Sequence, residues 1–181
     1  MEEFMAEEKK EPWLNYLALS TVILAVCATF STFKGGSFST RSVMSQTQAA
    51  NQWSYYQAKS IKSYLYEIQK EMLELDVQDA GKSSPATIDS HKEKIANYAG
   101  RIARYESEKA TIEKEAKRLE AIRDDAQMHS QIFGIAVIFL QIAILLSSIA
   151  ALMKKKLVWY LGILIGMAGV AYFANGFLLL F

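Results

Sequence analysis

Residues 132–181 read IFGIAVIFLQIAILLSSIAALM, then KKK, then LVWYLGILIGMAGVAYFANGFLLLF: two uncharged stretches of 22 and 25 residues separated by three lysines. Each exceeds the roughly 18 apolar residues that cross a hydrocarbon core of about 30 Å. The gap between them holds only Lys154, Lys155 and Lys156, enough for a tight turn, so the pair predicts a transmembrane helical hairpin. Working outward, Trp13–Phe33 is a third uncharged stretch, of 21 residues. The three stretches hold 68 of the 181 residues and none of the 39 charged ones, so the remaining 113 are about 35% charged. A whole-chain charged content of 22% averages two unlike parts, and it excludes the soluble globular class that it superficially suggests. The expected fold is an all-α membrane protein with transmembrane helices at 13–33, 132–153 and 157–181. A long antiparallel, coiled-coil-like helical hairpin is inserted between the first and second.

The first stretch does not read as a secretory signal. Residues 1–12 form an acidic tail, with five glutamates against Lys9 and Lys10, and a signal peptide needs a basic start and a shorter apolar region. It is expected to be an uncleaved anchor. Pro12 suits a first helical turn, where its missing N–H costs nothing, and Trp13 and Tyr16 suit headgroup level. Lys154, Lys155 and Lys156 in a short turn favour the cytoplasm under the positive-inside rule. The N-terminus is then cytoplasmic and the insert, residues 34–131, extracytoplasmic.

Two arms of 41 residues, 38–78 and 88–128, flank a Gly-, Ser- and Pro-bearing turn at 80–87. Each arm would span about 60 Å as a helix. The second arm carries a seven-residue repeat in two rows: Ile88, Ile95, Ile102, Lys109, Ala116 and Arg123, and His91, Tyr98, Tyr105, Ile112, Leu119 and Ala126. Such rows form a seam along one side of a helix. The first arm carries Trp53, Gln57, Ile61, Tyr64, Ile68, Met72 and Leu75, with an eleven-residue period that implies a straight or slightly right-handed stripe. The two arms therefore prefer different supercoils, and they pair only in a nearly straight bundle or when further helices join. Gly35 and Gly36, just after the first span, allow a bend there, which is the expectation, or could lie in a continuous helix.

From Ser42 to Ala58, 17 residues carry no charge in the most charged part of the chain. A solvated helix normally uses Lys and Glu, so Gln46, Asn51, Gln52, Trp53, Tyr55, Tyr56 and Gln57 are candidates for an oligomer or partner interface. Three aromatics cannot all occupy one helix face, and aromatic anchors dominate association energy when buried between chains. The blander alternative is a face packed on the second arm. The run Asn51-Gln52-Trp53-Ser54-Tyr55-Tyr56-Gln57-Ala58-Lys59-Ser60-Ile61-Lys62, after a span ending in Thr32-Phe33-Lys34, resembles a bacterial family of small three-span membrane proteins catalogued only as a domain of unknown function. That resemblance covers nearly the whole chain. It implies a bacterial inner-membrane location and a helical insert, and it brings no activity, cofactor or catalytic residue.

In the third span Gly162, Gly166 and Gly169 form a small-residue face for close helix packing, within the chain or between copies. Catalytic signatures are lacking. His91 and His129 are far apart, Cys27 sits inside a span, and no phosphate loop or nucleophile triad occurs. No metal or other cofactor is expected. Asp124 and Asp125 with His129 a turn later could bind a divalent ion at the membrane edge, but the pair reads first as solvated. The insert carries 15 basic and 14 acidic residues, which argues against nucleic acid. The expected partners are the lipid bilayer, other copies of the chain and a protein bound through the hairpin. Two functions fit: a non-enzymatic homo-oligomeric scaffold, or an oligomeric channel component with the neutral 42–58 stretch as its vestibule. In a Cys27→Ala, Ser84→Cys variant, a membrane-impermeant thiol reagent is expected to label intact cells; labelling only after lysis would overturn the outward placement.

Overall fold

The computed structural model describes residues 12–79 and 84–179. The acidic tail up to residue 11, residues 80–83 of the expected turn and the last two residues lie outside the described part. The described residues form three helices: α1 (Pro12–Gln78), α2 (Pro85–Met153) and α3 (Lys156–Leu178). All three contain segments long and apolar enough to cross a membrane, which is the mark of a multi-pass membrane protein.

Local chemistry sets several of the helix ends. Ser84 accepts a hydrogen bond on its hydroxyl from the Thr87 N–H at 3.3 Å, and Pro85 fills the first helical position of α2. α2 and α3 are separated by Lys154 and Lys155 alone, and Lys154 adopts a left-handed φ of 53° to reverse the chain. That conformation is uncommon outside glycine, so the tight reversal carries some backbone strain. α3 ends on Leu179, also left-handed, whose N–H donates to the Asn175 carbonyl at 2.8 Å.

The helices divide into two compact units, residues 1–42 with 124–181 and residues 43–123. In the first, α1, α2 and α3 pack around the buried side chains Leu24, Ala28, Leu140 and Ala143, with Trp13, Leu17 and Ala150 forming a second cluster. Trp159 tilts against Trp13 and donates its indole N–H to the Ser20 hydroxyl at 3.2 Å. The fully buried Phe133 contacts Phe38, Phe173 and Phe177. Beside it the His129 ring stacks on Phe38 at 4.4 Å, with Nδ1 2.8 Å from the Gly176 carbonyl oxygen. Leu19, Val22, Ile138, Leu145, Leu164 and Met167 point outward, as lipid-facing positions do.

One expectation is overturned. α1 continues through Gly35 and Gly36 as helix, with no positive φ at either, so the bend is absent. The reason lies in α2: Ser130 donates to the Gly35 carbonyl at 3.1 Å, and Phe133 packs where a Gly35 side chain would be. Gly35 serves close approach rather than flexibility.

The second unit is an antiparallel pair of helical segments, as its cross-contacts show: Gln46 with Arg123, Trp53 with Glu120, Lys59 with Glu108, Ser63 with Glu106 and Tyr66 with Arg101. On α2 every position of the two heptad rows from Ile88 to Arg123 is buried or half-buried, joined by the flanking Glu108, Glu113, Glu115, Glu120 and Ile122. On α1 the apolar stripe beyond Trp53 does not face α2. Ile61, Tyr64, Ile68, Met72 and Leu75 are all more than half exposed, and the inward face is instead Ser45, Ala49, Gln52, Tyr56, Lys59, Ser63, Tyr66, Lys70, Leu73 and Val77. These alternate in steps of four and three, so α1 keeps a seven-residue period toward α2 and the expected mismatch of supercoils disappears.

The glycines offer a test of this packing. A Cβ at Gly36 meets no atom within 4 Å, whereas one at Gly176 would lie 2.7 Å from the buried Phe133 ring. Gly36→Ala is expected to raise stability by up to ~1 kcal/mol. Gly176→Ala is expected to lower it by about 1–3 kcal/mol. Thermal unfolding in mild detergent, followed by circular dichroism, checks both directions.

Candidate interaction surface

The residues nominated as an interface part into two groups. Gln46 accepts from Arg123 at 2.7 Å, Trp53 donates its indole N–H to Glu120 at 2.9 Å, and Tyr56 meets Trp53 edge-on at 5.6 Å. With the half-buried Gln52, these serve the α1–α2 contact inside the chain. Asn51, Tyr55 and Gln57 remain exposed. The neutral 17-residue stretch thus has a double origin, because part of it faces α2 and part faces outward.

The contact between α1 and α2 in this unit is built from charge and aromatic rings more than from apolar bulk. Its buried apolar side chains are Ala49, Ile112, Ala116 and Leu119. Around them Lys59 pairs with Glu108, which Arg104 also engages at 2.8 Å. Lys109, about nine-tenths buried, holds both oxygens of Glu106 at 2.8 and 3.0 Å, and the Ser63 hydroxyl donates to the same carboxylate at 3.1 Å. Three cations of this contact lie over tyrosine rings: Lys59 over Tyr55 and Tyr105, Lys109 over Tyr56, and Arg101 over Tyr66, at 5.2–5.3 Å. Contacts of this geometry contribute about 0.5–1 kcal/mol each where solvent reaches them. They let a charged row act as a seam, with the stems covering apolar surface and the heads paired.

The same pairs set the titration behaviour. Lys59, then Arg104, holds the Glu108 carboxyl below its ordinary range, and Lys109, then Ser63, does so for Glu106. Glu108 in turn raises Lys59, and Glu106 raises Lys109. Carboxyls depressed by folding contribute stability above their unfolded value and lose it as pH falls through the lowered one. Lysines raised by folding contribute below their unfolded value and lose it as pH rises through the raised one.

In the spanning unit, the three glycines are places of close approach within the chain. A Cβ at Gly162 would lie 3.3 Å from the Ala143 carbonyl oxygen, at Gly166 3.0 Å from Leu24, and at Gly169 2.8 Å from Leu140. They let α3 sit against α1 and α2 of its own chain. Lys155 and Lys156 adjoin the α2–α3 reversal at Lys154, and Lys156 reaches over the Trp13 ring at 5.9 Å. Among the described residues no three His, Cys, Asp or Glu side chains converge as a metal-binding group would require.

The surface that sequence reasoning missed is the back of α1. Ile61, Leu65, Ile68, Met72 and Leu75 are 54–61% exposed in a segment outside the apolar spans, while α2 exposes no large apolar side chain between residues 85 and 123. The signal was the eleven-residue stripe, which holds Ile61, Ile68, Met72 and Leu75 but not Leu65, and which reads in the sequence as part of the pairing of the two arms.

A family profile described as a domain of unknown function (DUF4337) matches residues 13–179, and the chain belongs to that family. No curated protein and no solved structure matches it.

The α1–α2 contact is expected to be firmest between about pH 4.3 and 10.4, the ordinary values for Glu and Lys. On acidification Glu108→Gln should flatten the loss relative to the unaltered protein, because it removes one titrating partner. In a Trp13→Phe, Trp159→Phe background, Trp53 fluorescence during acid titration reads it, and an unchanged profile would show that the pair does not govern the contact.

Proposed function

From membership in a family without an assigned activity, we propose that the protein is a non-enzymatic, homo-oligomeric membrane scaffold or partner-binding module working through its α1–α2 helical pair. The proposed setting is a bacterial inner membrane, with the N-terminus cytoplasmic and the pair on the outer side. The observation that carries this reading is the exposed back of α1. Large apolar side chains clustered on a water-exposed helix mark an association site, since isolated soluble surfaces rarely keep such a patch uncovered. The weak apolar content of the α1–α2 contact supports it from the other side. A helical pair whose buried apolar residues are Ala49, Ile112, Ala116 and Leu119 has little core of its own, and association supplies the missing burial.

The channel reading draws less from the molecule. Phe133 and Leu140 are fully buried inside the spanning unit, so a conduit would have to lie between copies and not within one.

Native mass measurement of the protein in lipid nanodiscs tests the proposal. The expected result is a species of two or more chains or a stoichiometric complex with a partner. A population of single chains at every lipid composition and concentration, with in-membrane crosslinking also yielding single chains, would overturn it.

A further inference from the structure

Resting on the association reading above, we propose that the back of α1 packs against the same row of a second copy, parallel and in register. The row is defined by ten positions of the second unit in alternating steps of three and four: Met44, Thr47, Asn51, Ser54, Ala58, Ile61, Leu65, Ile68, Met72 and Leu75. All ten are exposed and none is charged, although the insert around them is densely charged. This is a complete second heptad seam, on the opposite side of α1 from the one that meets α2. The hydroxyls on it are already occupied: Thr47 donates to the Val43 carbonyl and Ser54 to the Ala50 carbonyl, both at 3.0 Å. What they present to a neighbour is carbon.

Several features select a second copy as the occupant. The small residues Thr47, Asn51, Ser54 and Ala58 allow close helix approach, and the large ones from Ile61 to Leu75 follow in one block, so like meets like only when two rows run parallel and in register. Asn51 is the sole amide among the ten and occupies an a position, where a single Asn pairs with its own symmetry mate and fixes register. The five large side chains present on the order of 500 Å², so two copies bury about 1,000 Å², and the smaller positions carry the total into the range of about 1,200–2,000 Å² for stable interfaces. Copies anchored in one bilayer meet this row in a common chain direction and at high effective concentration. The outward face of α2, with Lys92, Arg104, Lys114 and Arg118 exposed, carries charge and offers no matching seam.

Parallel register makes one further contact specific. The flanking Glu71 comes opposite Asp76 of the second copy, five positions on, which is a like-charge pair. Glu71→Lys turns it into an opposite-charge pair and should raise the associated fraction several-fold at low salt, with the gain lost in about 1 M salt.

The test is cysteine crosslinking in native membranes, in a Cys27→Ala background. Ile61→Cys and Ile68→Cys are expected to form disulfide-linked dimers efficiently on mild oxidation, and Lys114→Cys on the back of α2 at background level. In nanodiscs Ile68→Glu should weaken association about ten-fold or more while helicity stays unchanged. Oligomers that persist in Ile68→Glu, or that crosslink best through Lys114→Cys, would overturn this inference and leave the scaffold reading standing. Single chains throughout, with a foreign protein covering the row, would overturn it as well. Single chains with no partner of any kind would remove both.

Discussion

The contact that organises residues 43–123 is the polar seam in which Lys59 meets Glu108 and Lys109 meets Glu106 under the Ser63 hydroxyl. Beside its apolar rows α2 offers paired charges and tyrosine rings, the face of α1 that meets it is mostly small, hydroxylated or basic until Leu73 and Val77, and most of the large apolar residues of this part of α1 are left on the other side. The amphipathic rule that apolar residues face the nearest helix thus inverts: α1 turns its polar side to its neighbour within the chain. Ion pairs with partial solvent access contribute roughly 0–1 kcal/mol each, so this seam fixes which residues face one another more than it binds the helices tightly. Register is set by charge, and the large apolar side chains from Ile61 to Leu75, apart from Leu73, stand exposed on the other face.

Much of this was legible in the sequence. The three uncharged stretches became apolar helical segments, the heptad rows of α2 from Ile88 to Arg123 face α1, and even Lys109 and Arg123, the lapses in those rows, sit in the contact with their charges engaged. What misled was the assumption that hydrophobicity identifies the partner. Ile61, Ile68 and Leu75 have the spacing of a buried face, yet all three are exposed, and nothing in that spacing says whether the second arm covers them. Lys59 and Ser63, the residues that do meet α2, look like solvated positions until their partners are known. The bend expected at Gly35 and Gly36 failed for a related reason, since a glycine serves flexibility and close approach equally well on paper, and only Phe133 and Ser130 distinguish the two.

The small residues of the spanning unit show the opposite balance. Gly162, Gly166, Gly169 and Gly176 face the side chains or backbone of neighbouring helices in their own chain, so the close-packed face of α3 is largely consumed internally. The spans settle their contacts among themselves, and the exposed row of α1 remains open. Family membership over residues 13–179 encompasses both parts.

Trp53 gives this arrangement an optical consequence. Trp13 and Trp159 lie against each other in the spanning unit, and Trp53 stands in the other unit, its indole bonded to Glu120 and edged by Tyr56. With the other two indoles replaced by phenylalanine, the intrinsic emission of the protein would come from the polar seam alone, so the chain carries its own label for the separation of α1 from α2.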